Sequence, residues 1–306
     1  MRVFSGFEDA GNFINPVVTT GSFDGVHVGH KAIINRLKNL AGKCRGETVL
    51  ITYNPHPRKV LYPDREGAGL KLITTIEERL FLLEKAGVDN VIVVNFTPEL
   101  ASTTCEEYVK NYLAGIIKVK KIVVGFNHYF GWHRQGDFHY LKELGKKYGF
   151  EAEEIPEKEI EHETVSSTRI RKALCEGYIQ RANAYLDNFY MIMAKAEKTG
   201  DIIGTGYDYF RLMLKTDEDK IIPPPGIYAV SVESDRHKSK GMGVILRDDA
   251  GGEMVFFHPL EEIIIQDEKI HLFFHKRISD APDSKSRELL KSSLVTAMRT
   301  IQDLIY

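Results

Sequence analysis

Short apolar runs and helix-period segments alternate through the first half of the chain. PVVTTGSF (Pro16–Phe23) is an apolar run of strand length, and HKAIINRLKNLAG (His30–Gly42) spaces its apolar residues at helical intervals. ETVLITYNP (Glu47–Pro55) predicts a second strand. TTIEERLFLLEKAG (Thr74–Gly87) predicts a second helix, opened by a threonine cap with glutamates in its first turn and closed by Gly87. VDNVIVVNF (Val88–Phe96) and VKKIVVGFN (Val119–Asn127) continue the strands, with FEAEEIP (Phe150–Pro156) a short acidic one. TCEEYVKNYLAGII (Thr104–Ile117) and DFHYLKELGKKYG (Asp137–Gly149) continue the helices. Val/Ile-rich strands separated by helices predict an α/β fold, a doubly wound parallel sheet covered on both faces. In such sheets ligands bind at the carboxyl ends of the strands, beside a topological switch point.

The pattern changes after about Tyr185. PPPGIYAVSVES (Pro223–Ser234), GMGVILRD (Gly241–Asp248), GEMVFFHPL (Gly252–Leu260) and KIHLFFHKR (Lys269–Arg277) are closely spaced strand signals with turn residues between them. SRELLKSSLVTAMRTIQDLIY (Ser286–Tyr306) predicts a terminal amphipathic helix. The expectation is two domains: residues 1–186, doubly wound, and residues 187–306, a small antiparallel β-barrel with one C-terminal helix. There is no internal repeat and no low-complexity segment.

Composition narrows the partners. With 306 residues, 43% hydrophobic and 27% charged, the chain has material for one or two buried cores. Its net charge of −2 supplies no global field toward nucleic acid or an anionic membrane, so anionic ligands must be held locally. The 3 cysteines, Cys44, Cys105 and Cys175, are far apart and odd in number, which suits a reducing compartment better than a disulfide framework. MRVFSGFEDAGNF lacks the apolar core of a signal peptide, and no run is long enough to span a bilayer. The expectation is a cytoplasmic protein, its oligomeric state left open, homo-oligomer included.

The candidate chemistry sits where the first predicted strand meets the first predicted helix. In TTGSFDGVHVGHK (Thr19–Lys31) Gly21 and Gly25 let backbone come close to a ligand, and the helix N-terminus near Val28 offers unpaired N–H groups to a phosphate. His27 and His30, three apart, can face one pocket and donate hydrogen bonds as phosphate charge develops. A glycine turn with incidental histidines is the competing reading, and the strand–turn–helix context weighs against it.

This stretch resembles the HxGH nucleotidyltransferases, a Rossmann-like superfamily related to class I aminoacyl-tRNA synthetases. GSFDGVHVGHK is similar to the FAD synthetase (FMN adenylyltransferase) part of the prokaryotic bifunctional riboflavin kinase/FAD synthetases. TYNPHPRKVL (Thr52–Leu61), VVGFNHYFGWHRQGD (Val123–Asp137) and VSSTRIRKAL (Val165–Leu174) match three further family segments in order, so the resemblance covers residues 15–186. It implies FMN + ATP giving FAD + pyrophosphate, with ATP and FMN as partners and Mg²⁺ held mostly by water and phosphate. His27, His30, Asn127 and Arg171 are the expected catalytic residues. ATP is expected on Gly21, Phe23, Gly25, His27, His30, Ser166, Ser167, Thr168, Arg169 and Arg171, and the flavin on Asp24, Asn54, Pro55, His56, Pro57, Asn127 and Phe130. His128 stands where the family usually has Phe. Phe130 and Trp132 could stack on the flavin or simply be core. His128, His133 and His139 match no usual zinc spacing, and no metal ligand is expected with certainty. The acidic run EAEEIPEKEIEHE (Glu151–Glu163) reads as a solvated face. A different phosphate acceptor and a flavin-binding regulator without turnover are the other readings.

The second half resembles the family's riboflavin kinase domain in outline only. The family's G-F-P-T-A-N signature aligns with Gly206-Tyr207-Asp208-Tyr209-Phe210-Arg211, which puts Tyr209 and Arg211 at its Thr and Asn positions. Short oxygen ligands suit a hard cation, whereas a tyrosine sits too far from its backbone and a guanidinium repels the ion. Glu253 is displaced from the position expected of a catalytic glutamate. The resemblance therefore implies a degenerate kinase barrel, with Asp208 a conceivable substitute ligand.

Overall fold

The computed structural model describes residues 1–304 apart from 66, 127, 157–164, 203, 216–218, 235–236, 264, 266–268 and 282–286. The chain forms two compact units. The first takes residues 1–70 and 79–166, the second residues 71–78 and 167–306. Packing thus groups residues 167–186 with the second unit, whereas the pattern change had suggested a division after them.

In the first unit six parallel strands, β1 (Arg2–Ser5), β2 (Val17–Thr20), β3 (Thr48–Tyr53), β4 (Asn90–Val94), β5 (Lys121–Gly125) and β6 (Glu151–Ile155), lie in the order β1-β4-β3-β2-β5-β6. The order reverses between β2 and β5, which is the switch point. The central strands read as apolar runs because helices cover both faces, and Val17, Val18, Val49, Leu50, Ile51, Val123 and Val124 are all buried.

The connecting helices are α1 (Val28–Cys44), α2 (Pro57–Leu61), α3 (Ile76–Lys85), α4 (Pro98–Ala101), α5 (Cys105–Glu107) and α6 (Phe138–Tyr148). The predicted cap of α3 is Thr75. Its hydroxyl accepts from Glu78 N at 3.2 Å, and Glu78 accepts in return from Thr75 N at 2.9 Å. The helix predicted over Thr104–Ile117 opens with a capping box between Thr104 and Glu107, then widens into a π-helix over Tyr108–Ile116. The strand the pattern did not predict is β1, a four-residue edge strand exposed along most of its length. In the acidic segment Glu151 and Glu153 pair with Lys121 and Arg36, and the remainder, 157–164, lies outside the described residues.

The second unit opens with α7 (Ser167–Cys175) and α8 (Ile179–Leu186). Six antiparallel strands then close a barrel: β7 (Tyr190–Gly200), β8 (Tyr209–Met213), β9 (Gly226–Glu233), β10 (Lys238–Arg247), β11 (Glu253–Pro259) and β12 (Lys269–Asp280), in the order β10-β11-β8-β7-β12-β9. Closure leaves no edge strand. The C-terminal helix α9 (Arg287–Gln302) buries Leu290, Leu294, Ala297, Met298 and Ile301 against Ile227, Ala229, Met242, Val244 and Tyr209.

Residues 71–78 belong to this unit through a buried ion pair. The Lys220 ammonium donates to Glu78 Oε2 at 2.5 Å, to the Ile73 carbonyl at 2.7 Å and to the Met191 carbonyl at 2.8 Å, and lies 4.4 Å from the centre of the Tyr190 ring. All three of its protons are used. Glu78, itself 0% exposed, also accepts from Met193 N at 2.9 Å.

Candidate active site

The turn after β2 is strained. Phe23 (φ 48°), Gly25 (φ 84°) and Val26 (φ 42°) are left-handed, and Val26 N bonds back to the Phe23 carbonyl at 3.1 Å. Only glycine adopts this region without cost. A β-branched valine there costs on the order of 1–3 kcal/mol, a strain typical of residues held for function. At Gly21 a Cβ would meet the Phe23 ring at 3.2 Å, so a side chain there would crowd the turn.

The turn delivers the two histidines to one place. His27 occupies the N-cap position of α1, and its ring makes no capping bond. Its imidazole stacks on that of His30, with centroids 3.7 Å apart and planes 18° from parallel, and the Phe23 ring tilts onto His30 at 4.8 Å. The Nδ1 atom of His30 is buried without a hydrogen bond among the described residues. Burial, then the neighbouring His27, then Arg79 hold His30 well below the usual histidine range. His30 is therefore neutral near pH 7, and both rings stand at the positive end of a 17-residue helix.

Beside this turn the carboxyl ends of β2, β3, β4 and β5 open into a cleft of about 910 Å³. Thr20, Gly21 and Ser22 line one side, α2 and the residues before it a second, and His128–Arg134 a third. Tyr53, Phe96 and Tyr108 also line it. The hydroxyls of Thr20, Tyr53 and Tyr108 form a chain, Thr20 to Tyr53 at 2.8 Å and Tyr53 to Tyr108 at 3.0 Å. The volume is that of a small-molecule site with an apolar wall and a few polar groups.

The expected flavin residues divide in this frame. His56, Pro57 and Phe130 line the cleft. Part of His56 is committed elsewhere, because its Nδ1 caps α2 by accepting from Arg58 N at 3.2 Å. Asn54 and Pro55 are exposed and lie outside the lining, and Asp24 is fully buried in the turn. Asn127 lies outside the described residues. Phe130 both lines the cleft and packs on the core, while Trp132 lines it with 46% of its surface exposed. His128 lies against Phe130, rings 19° from parallel, and burial together with Arg134 pushes it down to about 4. Among the described residues no group of three or more His, Cys, Asp or Glu is placed to hold a metal ion.

The second motif lies at the start of α7. Ser166 ends the first unit, and Ser167, Thr168, Arg169 and Arg171 belong to the second. Ser166, Thr168 and Arg169 are exposed, and Arg171 Nε donates to the Lys71 carbonyl at 3.0 Å. Sequence reading missed Thr20, Tyr53, Phe96, Tyr108 and Arg79. Thr20 and Tyr53 stand at the edges of motif segments but carry no role there, Phe96, Tyr108 and Arg79 belong to none, and the strand order brings them to one place.

In the barrel, Tyr209 is 0% exposed and packs in the α9 core, where burial pushes its phenol up to about 12. Arg211 is exposed, and Asp208 pairs with Lys198 at 2.7 Å. Glu253 stands at the start of β11, opposite Arg247. In the loop between β7 and β8 the Asp201 carboxylate accepts from the backbone N–H groups of Gly204 (2.8 Å), Thr205 (3.0 Å) and Gly206 (2.6 Å).

Residues 11–169 match the family model described as FAD synthetase. The bifunctional riboflavin kinase/FMN adenylyltransferase of Listeria monocytogenes is 32% identical over 246 residues, covering 77% of this chain and 75% of its own. That of Buchnera aphidicola subsp. Schizaphis graminum is 30% identical, covering 92% of this chain and 91% of its own. The crystal structure of a macrolide-efflux protein from Streptococcus pneumoniae superposes with a TM-score of 0.85 at 25% identity over 99% of each chain. Among the described residues no helix is long and apolar enough to cross a membrane.

Proposed function

The chain belongs to the FAD synthetase family, and from that premise we propose that residues 1–186 transfer the adenylyl group of ATP to FMN, giving FAD and pyrophosphate. An oxygen of the FMN phosphate attacks the α-phosphorus, and the bond to the β-phosphate oxygen breaks. Such transfers depend on positioning and charge stabilisation more than on a strong base. The observation that carries the reading is the stacked pair His27–His30 at the start of α1, beside the cleft. The rings donate hydrogen bonds to phosphate oxygens as negative charge develops, and Gly21 and Gly25 let backbone N–H groups approach the same oxygens. Ser166, Ser167, Thr168, Arg169 and Arg171 bind phosphate of the triphosphate tail, the arginines in bidentate fashion. The flavin lies in the cleft against Phe130, with His56 and Pro57 at its side and Asn127 as a polar contact. Mg²⁺ would arrive with the ATP phosphates rather than on protein ligands, and would supply charge neutralisation for the leaving pyrophosphate. The enzyme works in the cytoplasm.

The barrel is read as a kinase fold without kinase turnover. A buried Tyr209, an exposed Arg211 and an Asp208 paired with Lys198 stand where short metal ligands are needed. Asp201 already takes three backbone donors of the preceding loop, donors that a phosphate would otherwise compete for. Full-length relatives named as bifunctional favour the second reading, in which the barrel phosphorylates riboflavin. One experiment separates them. Purified protein is incubated with MgATP and FMN, then with MgATP and riboflavin, and the flavins are resolved by chromatography. FAD from FMN with no FMN from riboflavin is the expected result. No FAD from FMN overturns the adenylyl-transfer reading, leaving a flavin-binding regulator if both ligands still bind. FMN from riboflavin at an enzymatic rate restores bifunctionality.

A further inference from the structure

Behind the histidine turn lies a cation that no motif includes. Arg79, on α3 within the first unit, is 1% exposed. Burying a guanidinium is costly and is sustained only by well-made contacts. Its Nη1 donates to Thr52 Oγ1 at 3.1 Å and to the Tyr53 carbonyl at 3.0 Å. Thr52, itself 0% exposed, passes the contact on, since its one hydroxyl proton goes to the Ser22 carbonyl at 3.0 Å. Ser22 lies inside the GSFDG turn, and Gly21 N bonds to the Ile51 carbonyl at 3.0 Å beside it. One side chain thus grips the end of β3 twice. Through Thr52 it reaches the turn that carries the histidines. Through the Tyr53 carbonyl it fixes the residue whose phenol joins the hydroxyl chain of the cleft.

We propose that Arg79 is a positioning residue for adenylyl transfer, holding the Ser22 turn through Thr52 so that His27 and His30 meet the phosphates in register. The inference rests on the adenylyl-transfer reading above. Charge adds to geometry. The groups acting on His30 are His27 on its own element and Arg79 from α3, with Asp24 buried in the same turn. The Arg79 cation disfavours a proton on His30, so loss of Arg79 makes His30 easier to protonate.

The test uses the full-length chain with Arg79→Met, Arg79→Lys, Thr52→Val and the Arg79→Met/Thr52→Val double variant. FAD formation is followed from about pH 5.5 to about pH 8.5, alongside thermal melting and NMR titration of the histidine rings without substrate. Arg79→Met is expected to lose about 100-fold in kcat, as for a small misplacement of reacting groups, with the KM for FMN nearly unchanged. The acid limb of its profile moves to higher pH; titration of the substrates is common to all variants and cancels in the comparison. Thr52→Val is expected to lose about 10-fold, and the double variant no more than Arg79→Met alone, because the two residues share one path. Arg79→Lys, which keeps the cation, restores the acid limb and part of the rate. A folded Arg79→Met with wild-type rate, an unmoved acid limb, or a double variant whose losses multiply overturns the proposal. If Arg79→Met lacks a cooperative melt, Thr52→Val and Arg79→Lys decide by the same criteria. A wild-type protein that makes no FAD sinks the functional reading instead, and the His30 titration, which needs no turnover, still decides Arg79. A pKa for His30 that rises in Arg79→Met supports the proposal, and an unchanged one overturns it.

Discussion

Replacing Lys220 by methionine should destabilise the barrel unit severely, and the size of the loss follows from its neighbours. The substitution removes three hydrogen bonds, to Glu78, Ile73 and Met191, in surroundings where lysine is 6% and Glu78 0% exposed in their side chains. Methionine fills similar volume, so cavity formation is minor. What remains is a buried carboxylate that keeps two backbone donors, Thr75 N and Met193 N, but no cation. Breaking a buried pair in this way costs about 3–5 kcal/mol. With a urea dependence of roughly 2 kcal/mol per molar, the midpoint of the far-UV transition should fall by about 1.5–2.5 M. Removing the stranded charge as well, in Lys220→Met/Glu78→Gln, should recover part of the stability. A loss below about 1 kcal/mol or strict additivity of the two substitutions would refute the assignment of a paired, buried charge.

His30→Ala should lower kcat for FAD formation about 10²–10³-fold with an unchanged melting curve, as loss of one preorganised phosphate donor does. An unaltered rate would remove the histidine from the mechanism. Arg171→Ala should raise the KM for ATP well beyond any change in the KM for FMN, and an effect confined to FMN would show the residue serves the other substrate. Tyr108→Phe, which deletes the end of the hydroxyl chain, should weaken FMN binding by about 3- to 10-fold in a fluorescence titration, leaving ATP binding alone. For His128 the folded pKa of about 4 lies below the unfolded value, so the unfolded chain takes up the proton more readily. Stability carried by this group is complete above about pH 6.5 and is lost as pH falls toward 4. The acid slope of Tm should therefore be shallower in His128→Phe, and equal slopes would contradict the burial.

The sequence was legible where one period or one motif suffices. Buried parallel strands announce themselves as runs such as VLIT and VIVV, and a glycine-bearing turn between strand and helix marks the phosphate end. β1 escaped because Arg2–Ser5 sets one apolar and one polar residue on each face and has too few residues to show a period. The π-winding of Tyr108–Ile116 escaped because a wide turn keeps the same apolar residues inward, Tyr108, Val109 and Leu113. Arg79 carries no sequence signal of its own, being one charged residue among several on α3. Only the adjacency of α3 to the end of β3 buries it. The capture of residues 71–78 by the barrel likewise depends on Lys220, far along the chain, whose charge alone says nothing of its partner. Local chemistry was readable, and contacts set by topology were not.

The cleft is assembled from the ends of four strands, and this divides its labour by origin. The histidine turn follows β2 and is tied to β3, whereas the walls come from the segment after β3 and the loop after β5. Beneath them the sheet residues are packed and almost invariant in what they can be, since any change of volume there is felt. The walls carry no such burden: Leu61, Tyr62, Tyr129 and Trp132 are each more than a third exposed. Mutation can therefore reshape the walls of the cleft while the histidine turn stays untouched. A lineage carrying this scaffold is free to alter what the cleft admits by rewriting two short loops, with the turn inherited unaltered.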